Sequence, residues 1–447
     1  MKHSPARKAA LKFLKQRSSA YQDQSLGGVS LPARERGLYM ELVRGVVRSR
    51  VMLRAVLGAF CKRSLRHIDS SLLVVLEIGV YQLLMLSRIP EFAAVASTMD
   101  LLPQGHRKQR GFVNGILRSV ARSRRHVESC PAGFSRRVLV LESGQGVQFD
   151  RDVFPDPNSD RAAFLSAQYG VAPEALALFM DQLKEEQLVP YLESINSRPQ
   201  FTLRITGVGE STADDVIVEL GGAVEVRDDG LLLWAGGGDP SSTEAHRAGR
   251  VVVQGSFAAR VAPLVAPQAG ERILDLCGAP GGKALHMAQM TPDCQVSVGV
   301  MDERGATRTR ENVVRCQSAN ITIEDVSRLG DALPPGPFDA ILLDVPCSNT
   351  GVLNRRPFAR HRLDRDAQKN LIQAQERILL RAMRFGEEAE VAPRIIYSTC
   401  SILPDENERL VRRCVESGSR YRLVQEIGSM AASAADDGGY AALLQLE

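Results

Sequence analysis

Ile273-Leu274-Asp275-Leu276-Cys277-Gly278-Ala279-Pro280-Gly281-Gly282-Lys283 is the stretch on which the fold turns. A short apolar run ends in an acid, and a glycine-rich turn leads into a helix that begins near Lys283. Apolar runs of this length, bounded by turn residues, read as buried strands. Small residues at 278, 279, 281 and 282 let a ligand approach the main chain closely. The helix start adds free N–H groups. The spacing fits neither GxGxxG nor GxxxxGK[ST], which disfavours dinucleotide and P-loop readings. A plain tight turn between strand and helix is the bland alternative.

Working outward, the pattern repeats. Arg272 to Leu276, Val296 to Val300, Ala340 to Leu343 and Ile395 to Tyr397 are apolar runs separated by helical stretches. From residue 256 to 447 this alternation predicts an α/β, Rossmann-like domain with a parallel sheet covered on both faces. A second run, Ile341-Leu342-Leu343-Asp344-Val345-Pro346-Cys347-Ser348, also ends in an acid, now followed by Pro and Cys. A third, Ile395-Ile396-Tyr397-Ser398-Thr399-Cys400-Ser401, ends in a cysteine and is followed by Pro404-Asp405-Glu406-Asn407. Ligands of open α/β sheets sit at the carboxyl ends of the strands. Asp344, Cys347 and Cys400 are therefore expected in one crevice with the 277–283 turn. Taken singly, Asp344 reads as a helix cap and Cys400 as a small buried hydrophobe. A cysteine at a polar rim, by contrast, can become a thiolate.

Two thiols and a carboxyl at one rim suit a particular chemistry. Carbon 5 of cytosine is a poor nucleophile. Attack of a thiolate on carbon 6 makes carbon 5 enamine-like, and a carboxyl can hold a proton at N3. The activated carbon can then take a methyl group from a sulfonium donor. A second thiol or a water can remove the C5 proton and expel the nucleophile.

The rest of the chain bounds the reading. It has 447 residues, 44% hydrophobic and 24% charged, enough for two or three packed domains. A net charge of +4 singles out no partner, but the basic residues are unevenly placed. Lys2, Arg7, Lys8, Lys12, Lys15 and Arg17 open the chain without an acid. Arg107, Lys108, Arg110, Arg118, Arg122, Arg124 and Arg125 form a second such stretch. Basic faces suit phosphate backbones, although a solvated helix face has the same look. Eight scattered cysteines, none at zinc spacing, predict reduced thiols, no metal and a cytoplasmic setting. No apolar run is long enough for a membrane span. Residues 1–130 read as all-α, with helices over Leu38 to Leu57, Ser70 to Leu86 and Arg110 to Arg122. Residues 131–160, rich in Pro and Gly, read as a linker. Residues 161–255 read as a small α+β, RRM-like subdomain. There Val171 to Ile195 is helical, and Phe201 to Ile205, Val216 to Leu220 and Leu231 to Trp234 are strands.

At these residues the sequence resembles the bacterial Sun-type (RsmB group) 16S rRNA cytosine-C5 methyltransferases, over nearly the whole chain. The 277–283 turn looks like the family's S-adenosylmethionine loop. Asp344-Val345-Pro346-Cys347, with Ser348, Thr350 and Gly351, looks like its Asp-Ala-Pro-Cys motif. Thr399-Cys400-Ser401, with Pro404, Glu406 and Asn407, looks like its nucleophile motif. The resemblance implies Cys400 as the attacking thiol, Cys347 as the helper in product release, and Asp344 at the cytosine ring. It implies Lys283 beside both the donor and the acid. It also implies S-adenosylmethionine held by Cys277, Gly278, Ala279, Pro280, Gly281, Gly282 and Lys283, with Asp302, Asp325 and Asp344. Glu41-Leu42-Val43-Arg44-Gly45-Val46, Tyr81-Gln82-Leu83-Leu84 with Arg88-Ile89-Pro90, and Phe112 to Arg118 resemble a NusB-like RNA-binding domain. Asn196-Ser197-Arg198-Pro199, followed by Leu203-Arg204, resembles the segment between the two. The implied partner is RNA, most readily 16S rRNA, with the enzyme a monomer.

The chain departs from the family pattern in places. Gly278 stands where Ala is commoner, and Gly255 where an Asp usually follows Gln254. Val300 occupies the usual place of the ribose acid, so Asp302 is expected to stand in. Asp325 is the expected adenine-side acid, with Glu324 and Asp331 as rivals. Phe358 and His361 replace an Asp and a Trp, and the 355–361 segment is expected to face RNA as a basic loop. His286 and Trp234 are expected to be packing residues. Two other readings stay open: an RNA methyltransferase with another target atom, which needs no thiol pair, and an RNA-binding ribosome-assembly factor with impaired catalysis.

Overall fold

The structure, a computed structural model, describes residues 4–16, 29–130, 133–141, 144–209, 212–330, 332–431 and 433–447. Lys2, Arg17 and Asp331, all named above, lie outside the described residues. The chain forms two compact units, Met1–Ser197 with Leu353–Arg365, and Arg198–Val352 with Asp366–Glu447.

The first unit is mainly helical: α1 (Pro5–Leu14), α2 (Ala33–Phe60), α3 (Ser70–Met85), α4 (Glu91–Met99) and α5 (Arg107–Ser123). Helix α3 is apolar around its whole circumference and is buried from Leu72 to Leu84, so it forms the centre of the bundle. Asp69 caps it by accepting from the Leu72 N–H at 3.0 Å. The one charge within it, Glu77, is fully buried and held by Arg50 at 3.1 Å and Arg54 at 2.7 Å. Gly45 on α2 allows close approach, since a Cβ there would fall 1.9 Å from the Tyr81 hydroxyl. Helix α5 turns Val113, Ile116, Leu117 and Val120 inward and leaves Arg107, Lys108, Arg118 and Arg122 exposed.

The expected linker is not a plain linker. Strands β1 (Arg124–Val127), β2 (Val138–Val140) and β3 (Gly146–Phe149) form a three-stranded antiparallel sheet in the order β1-β3-β2. Gly133, at φ +85°, and Gly144, at φ +75°, lie between its strands, and Val138, Leu139, Val147 and Phe149 are buried. Helices α6 (Arg161–Tyr169), α7 (Pro173–Gln182) and α8 (Glu185–Ser194) also belong to this unit rather than to the α+β subdomain. Gly170, at φ +67°, ends α6 against the Arg48 carbonyl, which a Cβ would meet at 2.9 Å.

In the second unit, β4 (Thr202–Ile205), α9 (Ala213–Leu220), β5 (Val224–Val226), β6 (Leu232–Trp234), α10 (Glu244–Arg247) and β7 (Val251–Val253) make the small α+β part. Its four strands are antiparallel in the order β5-β6-β4-β7. Val216 to Leu220, expected as a strand, is the end of α9. Thr212 and Asp215 cap that helix reciprocally, and the cap outweighs the β-branched residues behind it.

The larger sheet follows: α11 (Ser256–Val265), β8 (Arg272–Asp275), α12 (Gly282–Met290), β9 (Gln295–Val300), α13 (Glu303–Arg315), β10 (Ile321–Asp325), β11 (Ala340–Asp344), α14 (Arg365–Glu388), β12 (Arg394–Thr399), α15 (Glu408–Glu416), β13 (Tyr421–Ser429) and β14 (Gly439–Leu446). The strand order is β10-β9-β8-β11-β12-β14-β13. The first five are parallel, as the alternation predicts. The last two add an antiparallel hairpin, so the sheet is mixed rather than wholly parallel. Apolar clusters lie on both faces, one including Ile273, Val298 and Ile396, the other Leu274, Ile341 and Tyr397.

Candidate active site

Parallel pairing puts the carboxyl ends of β8, β9, β10, β11 and β12 along one edge, with Asp275 beside Leu342, Asp325 beside Val300 and Asp344 beside Ser398. The residues expected to do chemistry leave the sheet at that edge. Lys283, in the first turn of α12, places its Nζ 2.7 Å from Asp344 Oδ2. Cys347 and Cys400, on different loops, bring their sulfurs to 3.2 Å. Cys400 Sγ also lies 3.4 Å from Asn349 Oδ1. Asn349 has φ +59°, a left-handed conformation that Asn tolerates better than most residues, and its amide donates to the Cys347 carbonyl at 2.9 Å. The Gly351 N–H donates to the Cys400 carbonyl at 2.9 Å, which ties the two loops again.

Electrostatics divide the site. Burial alone would lower the Lys283 ammonium, but Asp344, Asp275 and Cys400 together hold it above its ordinary value. The Cys347 thiol is pushed well up by its hydrogen bond to Cys400, by burial and by the charges of Cys400 and Glu406. Cys277 is pushed up to about 12 by burial and by Asp275 and Asp344, so its thiol stays protonated.

Asp275 is the unexpected group. It is fully buried, and neither carboxyl oxygen has a hydrogen-bond partner among the described residues. Burial and the nearby Asp344 charge push it up to about 7 against the opposing pull of Lys283. Gly278 gives it room, since a Cβ there would lie 2.6 Å from the carboxyl carbon. A carboxyl raised in the folded state binds a proton that the unfolded chain releases above about 3.8, so it costs stability as pH climbs from there to about 7. Asp275→Asn is therefore expected to raise stability relative to wild type at pH 8 by up to about 4 kcal/mol, seen as a higher thermal midpoint, and to change it little at pH 4. Thermal melts at the two pH values check this, and an equal shift at both would contradict it.

The residues expected on the donor side are arranged around the turn. Gly278 is buried, whereas Ala279, Pro280 and Gly282 are exposed. Gly281 is in the left-handed region at φ +91°, and a Cβ on Gly282 would meet nothing within 4 Å. Open main chain thus lies at the start of α12. Asp302 caps α13, accepting from the Gly305 N–H at 2.6 Å. Gly305 in turn abuts Ala279, whose Cβ would lie 3.1 Å from one added at Gly305. Asp325 ends β10 exposed, and hydrogen bonds from the Ser327 side chain and then from its N–H hold it below the usual carboxylate range. Val300 is buried at the end of β9, so the exposed acids there are Asp302 and Asp325, with Glu324 beside them.

Three secondary expectations separate. His286 is pushed down to about 3 by burial and by Arg204, as suits a neutral packing residue. Trp234 is partly buried and donates to the Gly238 carbonyl at 3.3 Å. The 355–361 segment does not form an exposed basic loop. Phe358, Ala359 and Arg360 are buried within the first unit. His361 bonds the Val47 carbonyl at 2.9 Å and is pushed down to about 4 by burial. Phe358, against Phe13, supplies an apolar anchor that draws the segment inward.

Sequence reasoning gave no role to Asp275, Asn349 or Gln375. The acid ending β8 was visible, but its lack of partners depends on contacts across strands.

The fold and site define a Rossmann-like methyltransferase unit accompanied by a NusB-type helical unit. Residues 262–438 match the family model described as 16S rRNA methyltransferase RsmB/F, and residues 4–122 match the NusB family. The chain thus carries an RsmB/F-type methyltransferase domain preceded by a NusB-type domain. It is 29% identical to ribosomal RNA small subunit methyltransferase B of Yersinia pseudotuberculosis, over 92% of this chain and 90% of that protein. The same holds for the Yersinia pestis protein of that name, again at 29% over 92% and 90%. Among solved structures, PH0851 matches with a TM-score of 0.73 and 19% identity, covering 99% of this chain and 98% of that one. NSun6 from Pyrococcus horikoshii, solved with SFG, an S-adenosylmethionine analogue, matches with a TM-score of 0.53 and 16% identity, covering 61% and 97%.

Proposed function

We propose that this protein methylates carbon 5 of a cytosine in 16S rRNA, acting as a cytoplasmic monomer. The observation that carries the reading is the pair of sulfurs 3.2 Å apart, Cys347 and Cys400, at the sheet edge that also holds the Lys283–Asp344 pair. Cys400 Sγ attacks C6, forming an S–C6 bond while the C5–C6 π electrons move to C5. Asp344 holds the proton at N3 as charge develops on the ring, and Lys283 orients Asp344. S-adenosylmethionine supplies the methyl group to C5. A water then takes the C5 proton, the C5–C6 double bond re-forms, and the S–C6 bond breaks to release Cys400 as a thiolate, a departure that the neighbouring Cys347 thiol assists. No step in this sequence needs a metal ion.

The residues present fit the donor. Open backbone from Gly278 to Lys283 suits its amino-acid end. Cys277 would join them through its main chain, and Asp344, paired with Lys283, would contact the donor. Asp302 suits the ribose and Asp325 the adenine. Lys8, Lys12, Lys15, Arg107, Lys108, Arg118 and Arg122, all exposed, suit RNA phosphates. Bisulfite sequencing of 16S rRNA from a deletion strain is expected to lose one 5-methylcytidine. The purified protein is expected to restore it on 16S rRNA in vitro. An unchanged map would remove 16S rRNA as the target.

Val300 favours a second reading, an assembly factor with impaired catalysis, because β9 ends without an acid. Calorimetric titration with S-adenosylmethionine separates the two, since the factor would not bind it.

A further inference from the structure

Behind the two cysteines lies a fully buried carboxylate, Glu406. Its Oε2 accepts from the Ser348 N–H and from Gln375 Nε2, each at 2.9 Å, and its Oε1 accepts from the Ser401 hydroxyl at 3.0 Å. Every one of these partners donates, so both oxygens act as acceptors, as an ionised carboxyl does. Ser348 directly follows Cys347, and Ser401 directly follows Cys400. Gln375 also donates to the Pro346 carbonyl at 2.9 Å. The three hydroxyls of Ser348, Thr350 and Ser401 close the network at 3.0–3.1 Å. One carboxylate thus fixes the residue after each cysteine.

The charges around the pair are not symmetrical. Glu406 acts on Cys347, and the Lys283 ammonium acts on Cys400. Tyr397, whose hydroxyl donates to the Glu406 carbonyl at 2.7 Å, is kept neutral by burial and by Glu406. The pair therefore has an anion on one side and a cation on the other.

We propose that Glu406 is a positioning residue that polarises the Cys347–Cys400 pair: it ties both loops together, keeps the resting proton on Cys347, and leaves the negative charge on Cys400. The proposal rests on reading Cys400 as the attacking thiol, and it adds the group that selects Cys400 over its neighbour.

The test is the order in which the two thiols of the full-length protein react with limiting iodoacetamide near neutral pH, read by peptide mass spectrometry. Wild type is expected to modify Cys400 ahead of Cys347 by about tenfold or more, a preference of one pH unit. Glu406→Gln keeps the shape without the charge, and its ratio is expected to fall at least about fivefold. Glu406→Asp is expected to restore most of the preference. Gln375→Met removes a tether but no charge and is expected to keep it. A wild-type ratio in Glu406→Gln overturns the proposal, and so does an equal collapse in Gln375→Met. If Glu406→Gln does not fold, the two charge-retaining variants carry the test, and loss of preference in either overturns it. The assay needs no RNA. A Cys400→Ala variant that still turned over would sink the reading of the mechanism, yet the reactivity order would still report on Glu406.

Discussion

Cys400→Ala is expected to lower methyl transfer by about four orders of magnitude or more, while S-adenosylmethionine affinity stays within about threefold. Without a sulfur at this position nothing in the site adds to C6, and C5 stays a poor nucleophile. The residues proposed to hold the donor, from Gly278 to Lys283 with Asp302 and Asp325, lie at the ends of β8, β9 and β10 rather than of β12 and are expected to keep their places. Cys347→Ala should behave differently. Attack and methylation can proceed, but release lacks the thiol that assists the departure of Cys400, so a covalent protein–RNA adduct is expected to accumulate. Denaturing gel electrophoresis with labelled RNA detects it, and Cys400→Ala should show none. Appreciable turnover in Cys400→Ala would favour an enzyme acting on a nitrogen or a ribose. The reverse adduct pattern, trapping in Cys400→Ala and none in Cys347→Ala, would exchange the roles of the two thiols.

The active-site edge was legible in the sequence because its signals are local. A strand followed at once by Gly278-Ala279-Pro280-Gly281-Gly282, Asp344 or Cys400 puts those residues at a strand's carboxyl end, whatever the rest of the chain does. The Lys283–Asp344 pair and the two sulfurs then meet because β8, β11 and β12 are neighbours. Features decided by distant partners were hidden. Nothing in Val216 to Leu220 says that Thr212 and Asp215 cap a helix there, unless the capping pattern is weighed above β-propensity. The Gly and Pro residues of 131–160 look like a linker until Val138 and Leu139 find Gln148 and Val147 across the sheet. The hub role of Glu406 depends on donors 58 and 31 residues away in sequence. Asp344 was found for the opposite reason, since an acid at a strand end needs no distant partner to be noticed.

The basic segment after the active-site loop shows the same limit with the largest energetic consequence. Arg355, Arg356, Arg360, His361 and Arg362 look alike in sequence, yet only some face solvent. Arg356 and Arg362 are exposed, while Arg360 is 1% exposed. The Arg360 guanidinium donates to the carbonyls of Arg48, at 3.2 Å, and Ile195, and to Asn196 Oδ1 at 3.0 Å. Burial, with Arg48 nearby, lowers it to about 9, so the fold bears a cost for keeping this charge inside. That cost is tolerable only while the acceptors are present. Arg360→Ala leaves three acceptors, that of Ile195 fully buried, without this donor and removes a fully buried side chain. It is expected to lower stability by about 3–5 kcal/mol. Phe358→Ala, which removes a fully buried ring 5.9 Å from that of Phe13, is expected to cost about the same. Arg362→Ala is expected to change stability by less than about 0.5 kcal/mol. Urea unfolding of the full-length protein, followed by circular dichroism, gives the ranking, and RNA binding measured beside it separates the two accounts of the segment. A packing role makes Arg360→Ala costly in stability, with RNA affinity unchanged at temperatures where the variant stays folded. A variant that unfolds like wild type but loses RNA affinity would return Arg360 to the RNA-facing role that its basic neighbours suggest.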